Sequence, residues 1–269
     1  MAPRTSILVL LAVLAVAGGG CGDQPVAVGP EAPARSEPAG QIARPTPLSP
    51  ELAAVARLIA DRKTDQARTR LDEHVAQHPD DGQAAFLLGL TYHREKRYTL
   101  ARPWFESAVR LAPEYHTVHH FHGWCLYYLG DMAGARAAFN RHVEAVPGEG
   151  DSHFALGLIA FDDDRLDDAQ RRFARAIELQ LDKPGRRSDV SKTHTRLADV
   201  HIRRNELELA KTQLLLATEL WPQHYAAFYK LSRVLTRLGE DEAADKAFRQ
   251  FHRWEMLAAQ RRGVPEQVP

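Results

Sequence analysis

The apolar residues from Glu51 onward recur at the spacing of amphipathic helices, and the whole pattern repeats at a fixed interval. A small alanine returns every 34 residues, with a single step of 41, and in the first four copies a large apolar residue follows four residues later. Residues four apart lie on one face of a helix, so each pair marks a buried stripe. No segment shows the alternation of a half-buried strand. The alanines are Ala67, Ala101, Ala135, Ala169, Ala210 and Ala244.

Glycines, turn residues and prolines divide each unit into two helices. Gly89, Gly123 and Gly157 are also 34 residues apart, and a residue of this size lets two helices approach closely. The seven extra residues of the longer step fall around Lys183 to Asp189, which we interpret as a loop insertion between two repeats. Turns between paired helices are predicted at Gly130-Asp131, 162–164, Asn205 and Gly239-Glu240, and helix stops at Pro79, Pro113, Pro147 and Pro222.

A helix-turn-helix unit with this period resembles the tetratricopeptide repeat. The second unit carries the pattern most fully, with Leu88-Gly89, Tyr92, Ala101, Phe105, Ala108 and Pro113. The resemblance implies an all-α fold, a right-handed α-solenoid of about six repeats over residues 51–262, because one helix pair cannot bury its apolar face alone. The repeats are expected near 48–81, 82–115, 116–149, 150–183, 191–224 and 225–258, with a tail at 263–269.

The first fifty residues have a different character. Arg4 precedes the apolar run Ile7 to Ala17, which is too short to span a bilayer and is typical of a signal-peptide core. The small residues before Cys21 resemble the lipobox of bacterial lipoproteins, a family in which the signal is removed and the cysteine carries a lipid. We therefore expect a signal peptide over 1–20, lipidation of Cys21 and an anchor in a cell-envelope membrane facing the periplasm or the exterior.

An ordinary secretory signal, with a soluble periplasmic or secreted product, is the alternative to this anchor. Residues 21–50 include seven prolines and almost no large apolar side chains, so they are expected to form a disordered linker.

In the tetratricopeptide repeat family, the first helices of successive repeats line a concave groove that binds peptides. We assign the groove positions of this chain by their place within each repeat. These positions are aromatic or apolar in the first half of the chain and mainly cationic in the second. The resemblance thus implies a protein or peptide partner with apolar side chains followed by acidic groups or a free carboxyl terminus. The groove positions are Phe86, Leu90, His93, His120, Phe121, Trp124, Tyr127, Tyr128, Phe154, Leu158, Phe161, Lys192, Thr195, Arg196, Asp199, Arg203, Tyr229, Lys230, Arg233 and Arg237.

The composition and motifs of the chain argue against several classes of function. The 35 basic and 35 acidic residues balance, which argues against a nucleic-acid partner. The chain has no phosphate-binding glycine loop, no cysteine-pair zinc motif and no nucleophile elbow, so we expect neither an enzyme nor a cofactor. The sequence predicts an exported scaffold or adaptor that helps assemble an envelope complex. An enzyme with an unidentified site stays open as an alternative.

The thirteen histidines suggest a second alternative, a periplasmic metal- or anion-binding protein that uses them together with the basic groove. His116, His119 and His120 could share one helix face, and imidazole suits zinc, copper or nickel. However, His119, His153 and His194 occupy the same phase in three repeats. Histidines that recur in one packing position favour a structural role, so no metal site is expected.

Overall fold

The computed structural model describes residues 47–263, and of 262 and 263 it describes only the helical backbone. The predicted signal peptide with Cys21, most of the predicted linker and most of the tail lie outside these residues. The described part consists of twelve α-helices joined by short turns. They are α1 Pro50–Ala60, α2 Thr64–Gln77, α3 Gly82–Arg94, α4 Tyr98–Leu111, α5 Thr117–Tyr128, α6 Met132–Ala145, α7 Gly150–Asp162, α8 Leu166–Gln180, α9 Arg187–Arg203, α10 Leu207–Leu220, α11 Tyr225–Leu238 and α12 Asp241–Gly263.

Each odd-numbered helix packs against the even-numbered helix that follows it, and each pair packs against the next pair. The helix pairs fall within the six predicted repeats, except that α9 begins at Arg187 rather than near Ser191 and α12 extends to Gly263, past residue 258. Within the predicted loop insertion, residues 183–186 form the turn and residues 187–189 open α9, so the insertion is partly turn and partly helix. It lengthens α9 to 17 residues, whereas α3 and α7 have 13 residues each.

Helix ends follow local chemistry. The Ser49 hydroxyl accepts a hydrogen bond from the Leu52 N–H at the start of α1, and the Asp81 carboxylate accepts from the N–H groups of Gln83 and Ala84 at the start of α3. Helices α2, α4, α6 and α10 each end two residues before a proline, as predicted.

The turn inside every repeat contains one residue in the left-handed conformation. These residues keep the 34-residue step and the single step of 41, so the turn geometry has the same period as the core. Four of them carry a side chain and two are glycines. They are Arg62, Lys96, Gly130, Asp164, Asn205 and Gly239.

The cores of the second, third and fourth repeats each contain a close contact between a glycine and a phenylalanine. A Cβ atom added to Gly89 would lie 2.7 Å from the Phe105 ring, and Phe105 itself is fully buried. An added Cβ atom at Gly123 would likewise overlap the Phe139 ring, and one at Gly157 would overlap the Phe173 ring. The predicted close approach of paired helices is thus confirmed, and it leaves no room for a methyl group.

The last helix, α12, is the longest of the twelve helices in the described residues. It has 23 residues against 14 in α11, so its end extends beyond its partner. Phe248, Met256 and Leu257 are exposed on it because no further repeat follows within the described residues. Among the residues that the structure describes, none of the helices combines the length and apolar character that a membrane span requires.

Candidate functional site

A series of aromatic rings marks the carboxyl end of α5. The rings of Tyr98 and Tyr128 stack at 4.6 Å and 18°, and those of Tyr128 and Trp124 lie 5.8 Å apart at 26°. Tyr127 packs edge-on against both Trp124 and Tyr128. We call these four residues the aromatic row. Offset stacking of this kind holds the rings rigidly, so a ligand would bind to them with little loss of side-chain entropy.

The aromatic row is open to solvent. Tyr128 is 53% exposed, and the other three rings are half-buried. The Tyr127 hydroxyl donates a 3.4 Å hydrogen bond to Asp162, and burial together with this carboxylate raises the pKa of Tyr127. Within the described residues no hydrogen bond involves the Trp124 indole N–H or the Tyr128 hydroxyl. Both donors can therefore serve a bound chain.

A pocket of about 280 Å³ adjoins the row at Trp124. Its walls combine aromatic rings with charged and amide groups from four helices and the segment before α9. We call it the polar pocket. Its lining residues are His120, Trp124, Asp151, Phe154, Gln180, Arg186, Asp189, Lys192 and Thr193.

The charges of the polar pocket neutralise one another. The Arg186 guanidinium donates to both carboxylate oxygens of Asp151, at 3.2 and 2.9 Å, and to Asp189 at 3.2 Å. The Lys192 ammonium donates to the other oxygen of Asp189 at 3.2 Å. Two cations thus face two carboxylates, and the pocket has no net charge.

Gln180 is one of two almost fully buried polar residues of the pocket, at 2% exposed, and Thr193 is the other, at 1%. The Gln180 amide nitrogen donates to Asp151 Oδ1 at 2.5 Å, which defines the orientation of the amide because a carboxylate only accepts. Its amide oxygen, Gln180 Oε1, is buried and has no hydrogen-bond partner among the described residues.

His120 closes the floor of the pocket as a neutral ring. Its Nδ1 and the Nδ1 of His142 both lie 2.9 Å from the Ser152 hydroxyl. Because the hydroxyl donates a single proton, at most one of the two Nδ1 atoms accepts from it, and any other donates to it. Burial lowers the pKa of His120 to about 3, with His142, His93 and Arg186 adding to the effect.

Several of the cations predicted for the second half of the groove are paired with polar side chains in the structure. Arg196 and Lys230 both pair with Asp199, and Arg203 pairs with Asp164 at 2.7 Å. Arg237 donates to the Asn205 side chain at 2.6 Å. Except for the Arg196–Asp199 pair within α9, these contacts join neighbouring repeats, which the residue types alone do not reveal.

Two of the predicted groove residues are buried instead. Phe86 is 3% exposed because Tyr115 and Phe121 cover it, at 5.2 and 5.7 Å between ring centroids. Thr195 is 5% exposed and donates its hydroxyl proton to the Ser191 carbonyl. Neither residue offers a surface to a ligand.

The other predicted groove residues keep at least part of their surface accessible. Tyr229 is 40% exposed, and the Arg233 guanidinium lies 5.9 Å from the centre of its ring. Arg196, Arg203, Arg233 and Arg237 are exposed, as is Lys192. The half-buried set comprises Leu90, His93, His120, Phe121, Trp124, Tyr127, Phe154, Leu158, Phe161, Asp199 and Lys230.

The predicted histidine cluster does not converge on one point. His119 is 8% exposed, and burial lowers its pKa to about 4, whereas the His120 ring nitrogen is engaged by Ser152. Residues 47–263 contain no group of three or more His, Cys, Asp or Glu side chains placed to hold a metal ion. His116, His119 and His120 therefore do not form a ligand set in this structure.

Sequence reasoning missed five of the nine residues that line the polar pocket. Asp151, Gln180, Arg186, Asp189 and Thr193 were not assigned to the groove. The one available signal was the seven-residue break in the repeat, because Arg186 lies inside that break.

Comparison with known proteins agrees with this architecture. Residues 52–116 and 195–251 match the family described as Tetratricopeptide repeat. No curated protein sequence matches the chain.

Several solved structures share the fold. PilF of Pseudomonas aeruginosa superimposes with a TM-score of 0.65 at 16% identity, covering 78% of this chain and 96% of PilF. YrrB, described as a tetratricopeptide repeat protein with an unusual peptide-binding site, superimposes with a TM-score of 0.54 at 17% identity, covering 72% of this chain and 98% of YrrB. The Cut9–Hcn1 structure of the APC/C has a TM-score of 0.64 at 17% identity over 76% of this chain, which spans only 39% of that protein.

At identities this low, the superpositions show a shared fold and nothing finer. The superpositions, the twelve helices of the described residues and the period of the core together establish the architecture. Residues 52–116 and 195–251 therefore match the tetratricopeptide repeat family, and the described part of the chain has the all-α superhelical fold of these repeats.

Proposed function

We propose that this protein is a non-enzymatic scaffold that reversibly captures an extended segment of a partner protein along its first helices. Tetratricopeptide repeats typically serve protein–protein interaction, and the solved structure of YrrB is described by its peptide-binding site. The bound segment would cross the aromatic row and place one side chain in the polar pocket.

The observation that carries the proposal is the exposure of Tyr128 in contact with Trp124 and Tyr98. A tyrosine that is 53% exposed yet stacked on its neighbours gives a large, rigid contact area at low entropic cost. Aromatic residues of this kind dominate binding energy at protein interfaces. The adjacent pocket supplies the polar groups that would select the partner.

We further propose that the protein is exported and attached to an envelope membrane through a lipid on Cys21. The apolar run Ile7 to Ala17 and the small residues before Cys21 support this location. The proline-rich residues 22–50 would hold the repeat domain away from the membrane. The scaffold would then act in the assembly of an envelope complex.

The experiment is an affinity capture from an envelope extract of the source organism, with three full-length baits compared by quantitative mass spectrometry. One bait is wild type, and one carries Trp124→Ala and Tyr128→Ala. The third carries Leu209→Ala and Leu215→Ala, which replace exposed leucines on α10, a second helix of its repeat.

We expect at least one protein to be retained by the wild-type and α10 baits and lost from the aromatic-row bait. Identical partners on all three baits would overturn the proposed groove.

A further inference from the structure

We infer that the last helix, α12, associates with the α12 of a second copy of the chain, antiparallel to it and related by a two-fold axis. This inference goes beyond the proposed function, because it concerns the end of the solenoid and not the aromatic row. The axis would pass close to His252, so that Phe248 of each copy packs against Met256 of the other.

The first argument is an uncovered core position. Phe248 is 42% exposed, although the corresponding large apolar residue of every preceding repeat is 0% exposed. In those repeats the first helix of the next repeat packs on the same second helix, and the ring of His122 in α5, for example, lies 6.3 Å from that of Phe105 in α4. No such helix follows α12 within the described residues, so Phe248 lacks this cover. The corresponding residues are Leu71, Phe105, Phe139, Phe173 and Leu214.

The uncovered flank of α12 is apolar at its centre. Phe248, His252 and Met256 are spaced by four, so they lie on one helix face. The His252 side chain is 54% exposed and Met256 is 62% exposed, and the His252 ring packs against Phe248 at 4.5 Å between centroids. Covering this apolar surface would release its water, which favours association. The exposed flank consists of Asp241, Asp245, Phe248, His252, Met256 and Ala259.

The α1 helix of a second copy does not suit this flank, although a head-to-tail contact would prolong the superhelix. Cys125 marks the position of a first helix that packs on the preceding second helix, since its Sγ donates to the Tyr98 carbonyl of α4 at 3.2 Å. α1 carries Arg57 at this position, and Arg57 is exposed. Burying a guanidinium there would be costly. The residues at this position in α5, α7, α9 and α11 are Cys125, Ile159, Val200 and Val234, all at most 1% exposed.

Charge favours the antiparallel arrangement. Acidic side chains lie at the start of α12 and arginines in its later turns, and within the described residues none of these groups forms an ion pair. An antiparallel pair brings the acidic end of each helix to the basic end of the other. With the axis at His252, Arg249 lies opposite Glu255 of the second copy, whereas a parallel pair would bring like charges together. The unpaired groups are Asp241, Glu242, Asp245, Arg249, Arg253 and Arg261.

Helix direction agrees with this pairing. Helices joined by short turns run antiparallel to their neighbours, so a helix that covers α12 as a next repeat would must run opposite to it. The α12 of a second copy has this direction when the two-fold axis is perpendicular to the helix.

The contact would be small. α12 has 23 residues and is therefore about 34 Å long, which at a helix width of about 10 Å gives a footprint of roughly 300–400 Å². Stable complexes bury about 800 Å² per partner. We therefore expect a reversible dimer that forms at micromolar or higher protein concentrations.

The test is chemical crosslinking of the purified full-length protein through one introduced cysteine. A residue on a two-fold axis faces its own copy, so a short bismaleimide should join His252→Cys to itself. Leu209→Cys on α10 is the control, because Leu209 is 51% exposed and lies outside the flank. Wild type gives the background from Cys21 and Cys125.

We expect a crosslinked dimer from His252→Cys that increases with protein concentration and exceeds both controls by about fivefold or more. Equal yields from the three proteins would overturn the inference.

A charge exchange tests the register of the two helices. In the His252→Cys protein, Arg249→Glu should lower the dimer yield by about fivefold, because the axis repeats the repulsion with Glu255 of the second copy. Adding Glu255→Arg should restore the yield. Circular dichroism checks that both variants keep their helices. A dimer that Arg249→Glu does not weaken, or that Glu255→Arg does not restore, would contradict the antiparallel pairing, and the His252→Cys result decides the matter if a charge variant does not fold.

Discussion

Arg186 and Asp151 are 35 residues apart, and the guanidinium of the first donates to both carboxylate oxygens of the second. Arg186 lies in the segment that breaks the repeat period, whereas Asp151 opens the preceding repeat at α7. The pair thus ties the insertion back to the solenoid. It also brings Asp189 and Lys192 to the rim of the polar pocket.

A double-mutant cycle of Arg186→Met and Asp151→Asn should show a coupling free energy of about 0.5–1 kcal/mol. The value is modest because the two side chains are 39% and 30% exposed, and water screens them. Urea unfolding of the four proteins measures it. Strictly additive effects of the two substitutions would show that the pair is only a surface contact.

Gly89→Ala should destabilise the protein by roughly 1–3 kcal/mol, because the new methyl group would overlap the Phe105 ring. Gly148→Ala is the control, since no atom lies within 4 Å of an added Cβ there. Its effect should stay within about 0.5 kcal/mol. Adding Phe105→Leu to Gly89→Ala should cost less than the sum of the two single changes. A neutral Gly89→Ala would contradict the close approach.

Acidification should destabilise the fold below pH 6.5. Burial lowers the pKa of His153 and of His224 to about 4, with nearby cationic side chains adding to the effect. The unfolded chain takes up protons at a higher pH than the folded chain does. Stability is therefore full above pH 6.5 and falls as the pH drops toward 4, by about 1.4 kcal/mol per pH unit for each such histidine.

Urea midpoints between pH 8 and pH 5 measure this loss. His153→Leu should reduce the slope of stability against pH, because it removes one buried titrating group. Leu209→Ala should leave the slope unchanged, since it replaces an exposed residue that does not titrate. An equal slope in wild type and His153→Leu would contradict the prediction.

Lipidation of Cys21 predicts that the protein incorporates radiolabelled palmitate in its source organism and sediments with membranes. Cys21→Ser should abolish both. Cys125→Ser should abolish neither, because Cys125 is buried in α5 and burial raises its pKa to about 11. A membrane-free Cys21→Ser protein that is still labelled would point to another acylation site.

The periodic features of the chain were predictable from its sequence. The Gly89–Phe105 contact, the helix stops before proline and the turn at Gly130 all recur every 34 residues, so each copy supports the others. The departures from the period were harder to predict. Arg186 lies in the insertion, where the phase of the repeats gives no position for its side chain.

Side-chain pairing was also beyond sequence reasoning. Arg203 and Asp164 are 39 residues apart, and nothing in the repeat pattern indicates that they meet. The burial of Phe86 was equally hard to predict, because it depends on contact with Tyr115 in the turn before α5. The residue types of a groove can therefore be predicted by phase, but its charge and accessible surface depend on contacts between repeats.

The central claim is that a partner segment binds across the aromatic row. A benzophenone photo-crosslinker introduced in place of Tyr128 tests it most directly, with the same group in place of Leu215 on α10 as the control. After irradiation in the envelope extract, the account predicts a partner protein crosslinked from position 128 and absent from position 215. A partner crosslinked from position 215 and absent from position 128 would contradict it.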